Sequence, residues 1–298
     1  MKKSLIAAAL AGLFAMPAVA QTAAAPAAPA AEEKSPHTFT ANVGLFSSYR
    51  FRGIDQTAGK PALQGGFDYA HESGVYLGNW NSNVSSGAGF PDGNLEMDFY
   101  GGWKKTFGDF GVDVGGLYYY YPGTDANGLN LTDSTTGMLI GSNAYNPGKL
   151  ASGKNDNFEL YVAGSWKFLT LKYNYSLTDY FGLPESKGTS YLDLTANYEV
   201  ADGWFINAHV GHLWSPDYKY GGTSGDQSIE YTDWKLGVTK VIDSWSIALA
   251  YIDTNANGSC GSAEFYCFAN SLNGNGQLGS KTKDAGRGIA VFSVSRTF

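Results

Sequence analysis

The feature that most constrains the fold is a strict alternation of apolar and polar residues, which recurs in segment after segment. Near the C-terminus, for example, Trp245, Ile247 and Leu249 fall on one face of a segment, while Ser246 and Ala248 fall on the other. Alternation with a period of two residues is typical of a β-strand with one apolar face. The composition agrees, since 39 Gly, 20 Tyr, 17 Phe and 7 Trp accompany only 16% charged residues, which favours strands and turns over helices. We therefore predict an all-β protein.

The alternation predicts twelve strands, and nearly all of them are long. They lie near residues 38–52, 61–71, 74–84, 94–107, 109–121, 156–168, 169–179, 188–200, 203–214, 228–241, 243–254 and 286–298. A tilted strand that crosses a membrane needs about 9–11 residues, whereas strands of globular proteins usually have about 5–6. The lengths therefore favour strands that span a membrane.

The connections between these strands alternate between short and long. Short turns lie at 71–74, 107–110, 167–170, 200–203 and 241–244, and long polar loops lie at 54–60, 85–93, 122–155, 180–187, 215–227 and 255–285. This pattern predicts a transmembrane antiparallel up-and-down β-barrel, with short periplasmic turns and long extracellular loops. An even number of strands places both termini on the periplasmic side.

Aromatic residues at the ends of the apolar faces separate this prediction from a soluble barrel or sandwich, in which those faces would pack inward. They are Tyr49, Phe51, Trp103, Phe107, Trp166, Phe168, Trp204 and Trp245. Such positions match the interfacial girdles of membrane barrels. The run YYYY at 118–121 also fits an outer girdle, with pore-lining aromatic residues as the alternative.

The first residues predict export. The basic start MKK precedes an apolar run, and the small residues AVA at 18–20 provide a cleavage site, so we expect a signal peptide that is removed after Ala20. Residues 21–37 are rich in Ala and Pro and predict a periplasmic tether. We therefore expect three parts: a signal peptide at 1–20, a tether at 21–37, and a barrel at 38–298 in the bacterial outer membrane.

The end of the chain and the net charge predict the partners. A last strand that closes on Phe298 resembles the signal that the outer-membrane assembly machinery reads, so this machinery and the membrane lipid are expected partners. Arg296 falls on the apolar face, which is tolerable at a membrane interface. The formal charge is -7 and becomes -9 when Lys2 and Lys3 leave with the signal peptide. An acidic chain argues against nucleic acid as a partner.

If the apolar faces meet lipid, the charged residues on the opposite faces enter the lumen. We predict that the pore is lined by Arg50, Arg52, Asp68, Glu96, Asp98, Lys104, Asp113, Glu159, Lys172, Asp193, Asp233 and Lys235. Such groups need water or a partner. One interpretation is a constriction at which the two arginines face Asp68, Glu96 and Asp98 across an aqueous path. The other is a salt-bridge network that fills a narrow barrel.

Two further features lie around the last long loop. Cys260 and Cys267 are the only cysteines of an exported chain, which predicts a disulfide. The stretch 253–264 has the spacing of a calcium loop, but the flanking helices of such a loop are missing and its residues are also common in turns. We predict no metal and no cofactor, with calcium binding at 253–264 as the open alternative.

One segment resembles a known family. It is YRFRGIDQT at 49–57, followed by GKPALQGGFDYAHESGVYLGNWNSNV up to Val84, and it is similar to the opening of the TorF family of porins, also called Gcw_chp. The resemblance implies a bacterial outer-membrane protein with a diffusion function. It implies no substrate and no catalytic residues.

Together these features predict an outer-membrane porin that lets small hydrophilic solutes or ions diffuse passively. The first alternative is a filled structural or adhesin-like barrel that binds through its outer loops. The second is a lipid-active enzyme, for which no serine can be tied to His209 or His212 from sequence, and we expect no enzymatic activity. The sequence does not predict the solute or the oligomeric state.

Overall fold

The computed structural model describes residues 35–124, 154–215, 219–222, 225–262, 264–272 and 278–298. The predicted signal peptide, nearly all of the predicted tether and most of the predicted loop 122–155 lie outside the described residues.

Twelve antiparallel strands close into one barrel. In chain order they are β1 His37–Phe46, β2 Ala62–His71, β3 Val75–Asn83, β4 Leu95–Phe107, β5 Phe110–Tyr120, β6 Asn157–Trp166, β7 Leu169–Ser176, β8 Ser190–Ala201, β9 Trp204–Trp214, β10 Tyr231–Ile242, β11 Trp245–Thr254 and β12 Ile289–Thr297. Each strand pairs with its neighbours in sequence, and β1 pairs with β12 to close the ring, with Asn42 opposite Thr297. The predicted up-and-down barrel is confirmed.

The first strand is shorter than predicted. We expected it to reach residue 52, but β1 ends at Phe46, and the chain then turns into the barrel. The short strands Arg50–Phe51 and Ile54–Asp55 pair with each other as a separate hairpin. The turn between them needs positive φ at Arg52 (48°) and Gly53 (81°), a backbone conformation that glycine adopts at little cost. We call residues 49–55 the inner hairpin.

The connections at one end of the barrel are tight, as predicted. Between strand ends lie only residues 108–109, 167–168, 202–203 and 243–244, and the turn at 72–74 is one residue longer. Positive φ at Gly108, Lys167, Gly203 and Asp243 reverses the chain there. We call this the turn end, and the opposite side, with its long connections, the loop end.

Large apolar side chains cover the outside of the barrel. Phe67, Leu236 and Leu249 are 63%, 62% and 51% exposed, an arrangement that water would penalise and lipid favours. Positions between such residues point into the barrel, as in β9, where His209 is buried. The barrel is therefore of the transmembrane kind. Among the described residues, no helix is long and apolar enough to cross a membrane.

Two polar residues interrupt the lipid-facing surface on β3. Asn81 Nδ2 donates to Asn79 Oδ1 at 2.6 Å and to the Gly65 carbonyl at 3.3 Å. Asn79 Nδ2 in turn donates to the Asp98 carbonyl at 3.0 Å. Because lipid offers no hydrogen-bonding partner, these internal bonds are what makes the two amides tolerable there.

Loops fold back into the barrel at its loop end and pack there. One apolar cluster is formed by Ile54, Tyr180, Leu183, Tyr191, Leu213, Ile229, Tyr231, Phe265, Tyr266, Leu272 and Ala285. A second is formed by Tyr49, Ala62, Trp80, Val84, Ala88, Phe90, Tyr119 and Tyr121. Tyr49 and Phe51, which the sequence pattern placed in an outer girdle, therefore lie inside: Tyr49 is buried, and Phe51 packs against Tyr119.

Neighbouring positions on β11 test which face meets lipid. We expect Leu249→Arg to lower the free energy of unfolding in lipid vesicles by about 2–4 kcal/mol, the cost of a lipid-facing arginine near the midplane. Ala248→Arg, the matched control, places the same charge in the lumen and should cost much less. Denaturant titration of both variants in vesicles measures the difference, and equal losses would contradict this orientation.

Candidate functional site

The inner hairpin spans the lumen between opposite walls. On one side, the Tyr49 hydroxyl donates to Glu96 Oε1 of β4 at 2.9 Å. On the other side, a Cβ atom added at Gly53 would collide with Thr254 of β11 and lie 2.7 Å from Cβ of Asp233 on β10. The hairpin thus narrows the barrel between β4 and the β10–β11 wall.

Arg50 fastens the hairpin to the chain that precedes β12. Its Nη1 donates to the carbonyl oxygens of Ala285 at 2.8 Å and Arg287 at 3.2 Å, and its Nη2 lies 3.6 Å from Asp55 Oδ2. Burial lowers the pKa of Arg50 to about 10, while Asp55 opposes this shift. Arg50 is 2% exposed and links the inner hairpin to the segment that precedes β12.

Arg52 fastens the hairpin to the opposite part of the wall. Its Nη2 lies 2.7 Å from Glu159 Oε2 of β6, and its Nη1 donates to the Tyr180 hydroxyl at 3.2 Å. The guanidinium also lies over the ring of Tyr191 of β8, 4.4 Å from its centroid. Burial is the largest single influence and opposes the charged form, but Glu159, Tyr180 and Tyr119 together outweigh it, so the pKa of Arg52 lies well above its ordinary value.

The partners of the two arginines differ from those expected. One of the two interpretations of the sequence had them facing Asp68, Glu96 and Asp98, because the pattern placed both arginines on the first strand, near β2 and β4. The structure instead pairs one arginine with Asp55 of the same hairpin and the other with Glu159. The inward turn after β1 carries both side chains across the lumen, which explains the change of partner.

In the described part of the chain, two luminal carboxylates keep an oxygen that has neither a hydrogen-bond donor nor an ion-pair partner, whereas the corresponding oxygen of Asp55 lies near Arg50 and Arg287. They are Asp68, at Oδ2, and Asp98, at Oδ1. The other oxygen of Asp68 accepts from the Tyr100 hydroxyl at 2.5 Å. Asp98 is buried two residues from Glu96, on the same face of β4. An ionised carboxylate oxygen with a free lone pair attracts a cation or a hydrogen-bond donor.

Tyrosines and lysines surround a third carboxylate nearer the turn end. The Tyr76 hydroxyl donates to Asp113 Oδ1 at 2.6 Å and is also hydrogen-bonded to the Tyr161 hydroxyl. Lys172 Nζ lies 3.9 Å from the centroid of the Tyr161 ring, and Lys104 Nζ lies 5.1 Å from that of Tyr76. These contacts place positive and negative groups side by side on the wall.

The strand register aligns these charges in a row around the lumen. Successive neighbours along it are Lys104, Asp113, Ala163, Lys172, Asp193, Gly211 and Asp233. Every second position of each strand faces inward, so all of these residues point into the same space. The row therefore forms a charged wall from β4 to β10.

His209 bridges Asp193 and Asp233, the last two charged residues of this row. Its Nδ1 lies 2.6 Å from Asp193 Oδ2 and its Nε2 lies 2.8 Å from Asp233 Oδ2. Ionised carboxylates only accept, so when both are ionised the two ring nitrogens donate and the ring is an imidazolium cation. The Tyr191 hydroxyl donates to Asp233 at 2.7 Å, and Lys235 lies opposite His209 in the register.

His209 is not among the pore-lining residues predicted from the sequence. Its signal was present, since period two puts it on the polar face of β9, but the two carboxylates come from β8 and β10. His212 lies on the other face, where Nδ1 is 2.7 Å from Thr232 Oγ1. The two histidines are thus held by different groups.

The wall formed by β11, β12 and β1 is of a different kind. Toward the turn end its inward residues are small and uncharged, as in Gly44, Ala248, Ser293 and Ser295, whereas Phe46, Ile252 and Val291 point inward nearer the loop end. We call this the small-residue wall. In the turn-end half of the barrel, the lumen therefore lies between the charged wall and the small-residue wall.

The last loop contains the two cysteines, which form a disulfide. The residues of the calcium-like stretch are hydrogen-bonded to separate backbone groups: Asn255 Oδ1 accepts from Thr232 N–H, and Glu264 Oε2 from Ser259 N–H. The described part of the chain contains no cluster of three or more His, Cys, Asp or Glu residues suited to a metal ion.

Solved structures of similar shape share little sequence with this chain. The KdgM porin is 7% identical, with 87% of this chain and 99% of that chain covered and a TM-score of 0.45. The NanC porin is 9% identical, with 88% and 99% covered and a TM-score of 0.45. The COG4313 outer membrane channel from Pseudomonas putida F1 is 11% identical, with 92% and 100% covered and a TM-score of 0.44. No curated protein matches the sequence.

One family model matches the sequence in two overlapping stretches, residues 30–142 and 137–274. Its description contains no TorF name, so that part of the resemblance stays a prediction. Because the two stretches together span most of the 298 residues, the chain belongs to the family described as "Bacterial protein of unknown function (Gcw_chp)".

Proposed function

We propose that this protein is an outer-membrane channel through which small hydrophilic solutes or ions diffuse passively. The observation that carries the proposal is the contrast between an apolar exterior and a charged interior within one closed barrel. Polar groups inside a transmembrane barrel create a path on which a solute keeps hydrogen-bonding partners. The outer membrane is the proposed location because closed barrels with short turns and long loops are typical of it.

The inner hairpin is the proposed constriction. It spans the lumen near the loop end, and its arginines are tied to Ala285 on one side and to Glu159 on the other. Solutes would pass beside it and then along the small-residue wall. We propose that the twelve luminal charges predicted from sequence line or frame this path.

Carboxylates outnumber cations in the described lumen, which favours a preference for cations. The acidic residues are Asp55, Asp68, Glu96, Asp98, Asp113, Glu159, Asp193 and Asp233. The basic ones are Arg50, Arg52, Lys104, Lys172, His209, Lys235 and Arg287, whose Nη2 lies 3.5 Å from Asp55 Oδ2. The oxygens of Asp68 and Asp98 that lack a donor are the proposed points of contact for a passing cation.

A filled barrel that binds a ligand through its loops is the second candidate. The two apolar clusters at the loop end favour it, since they occupy space that an open channel would leave empty. A polar cavity of about 680 Å³ also opens among the loops, beside Lys60, Asn83, Asn94 and Asn270. Planar-bilayer recording separates the candidates: stepwise conductance supports a channel, and silence of correctly folded protein supports the filled barrel.

Neutralising the two carboxylates tests the cation preference. We expect Asp68→Asn with Asp98→Asn to move the reversal potential in a KCl gradient toward that of a non-selective pore, because the carboxylate oxygens available to a passing cation are replaced by neutral amides. The control variant is Glu72→Gln with Asp243→Asn. It replaces two acidic residues that are exposed in turns, outside the lumen, and should change the reversal potential less. Identical reversal potentials in the wild type and the luminal variant would remove these residues from the path.

The Arg52–Glu159 pair tests the constriction. Arg52→Gln leaves a buried carboxylate unpaired, at a cost of about 3–5 kcal/mol, so we expect a looser hairpin and a larger or more variable single-channel conductance. Adding Glu159→Gln should restore part of the stability, because no buried charge is then left alone. Denaturant titration of both variants measures the free energy of unfolding, and single-channel recording measures the conductance. A folded Arg52→Gln protein with wild-type conductance would show that the hairpin does not limit flow.

A further inference from the structure

Basic side chains lie beside exposed tryptophans on the outer surface of the barrel at the turn end, while the turns themselves also carry the acidic residues Glu72, Asp109, Asp202 and Asp243. Three cations there lie over tryptophan rings, at 5.0, 5.3 and 5.3 Å from the ring centroids: they are Lys167 over Trp166, Lys240 over Trp204 and Arg296 over Trp245. Each of the three tryptophans is 45% exposed. The pairs lie on different hairpins and recur around part of the rim. We call them the Trp–cation pairs.

The sign of the charge distinguishes the two ends of the outer surface. Along the strands, the charged residues at outward positions of the turn-end half are Lys105, Lys240 and Arg296, all of them basic. At the loop end, outward tyrosines bond to carboxylates instead: Tyr118 donates to Asp156 at 2.8 Å and Tyr251 to Asp253 at 3.4 Å. The difference in sign therefore concerns the outward positions of the strands, since exposed residues of the other sign lie in the turns, as Glu72, and in the loops, as Lys60.

Two of the cations keep donors available. Lys240 Nζ donates to the Asp202 carbonyl at 2.9 Å, and Arg296 Nε lies 3.2 Å from Ser244 Oγ. An ammonium has three N–H donors and a guanidinium has five. Among the described residues, no carboxylate lies within ion-pair distance of either group, whereas Lys167 has Asp109 at 3.9 Å. Lys240 and Arg296 are therefore charged, outward and not neutralised by an acidic side chain.

An anionic lipid headgroup matches this arrangement. A tryptophan at the interface contacts the upper acyl chain and the glycerol region, while a lysine or arginine beside it reaches toward the phosphates. Charge-assisted hydrogen bonds to phosphate are strong for both cations, and arginine can make two at once. Each Trp–cation pair thus presents an apolar ring surface and a phosphate-binding cation at the same depth in the membrane.

We propose that the turn-end rim binds anionic phospholipids of the adjacent leaflet, with Lys240–Trp204 and Arg296–Trp245 as two headgroup sites. The sites face lipid and contain no luminal residue. The inference therefore stands whether or not the barrel conducts.

Native mass spectrometry of the folded full chain tests the sites, with phosphatidylglycerol and phosphatidylcholine as probes in the same detergent. We expect wild-type protein to retain phosphatidylglycerol in preference to phosphatidylcholine. The double variant Lys240→Gln/Arg296→Gln should weaken phosphatidylglycerol binding by about fivefold for each cation removed, since a basic residue near an anionic surface contributes about 1 kcal/mol. Binding of phosphatidylcholine should change little.

Lys60→Gln/Lys187→Gln is the matched control, because it removes two exposed cations at the loop end. Unchanged phosphatidylglycerol binding in the rim variant, or an equal loss in the control, would overturn the proposal. If the rim variant does not fold, the variant Trp204→Leu/Trp245→Leu removes the two aromatic rings and keeps both positive charges. Weaker phosphatidylglycerol binding is then expected, and wild-type binding would overturn the proposal.

Discussion

The constraint on which the whole structure depends is that lipid cannot satisfy a backbone hydrogen bond. A sheet in a bilayer is stable only if it has no free edge, and pairing of the first strand with the last removes the edges here. Closure then decides the direction of every side chain, because alternate positions on each strand face either lipid or the enclosed space. Apolar residues outside and charged residues inside are two results of one geometry.

Charges enclosed in this way need partners, and the barrel supplies them across strands. His209 of β9 lies between carboxylates from β8 and β10, while a tyrosine of β3 serves a carboxylate of β5. Such contacts between strands stiffen the wall and leave few charges alone. The oxygens of Asp68 and Asp98 that have neither a donor nor an ion-pair partner are exceptions to this pattern among the described residues.

Much of the fold could be predicted because lipid imposes a simple pattern. Apolar residues such as Trp245, Ile247 and Leu249 occupy every second position, since one face of the strand has to be apolar. The observed positions of most strands are therefore close to the predicted ones. The alternation also runs on through Tyr49 and Phe51, so it could not show that β1 stops at Phe46. Partners such as Asp193 and Asp233 depend on strand register, which periodicity alone does not define.

The place of the inner hairpin in the chain has a consequence for assembly. It follows the first strand, yet its contacts reach Glu96 of β4, Glu159 of β6 and Ala285, which immediately precedes β12. The full set of contacts can form only after the segment that precedes β12 is in place. The inner hairpin, which lies early in the sequence, therefore completes its contacts late in assembly. Contacts between residues so distant in sequence are slow to form.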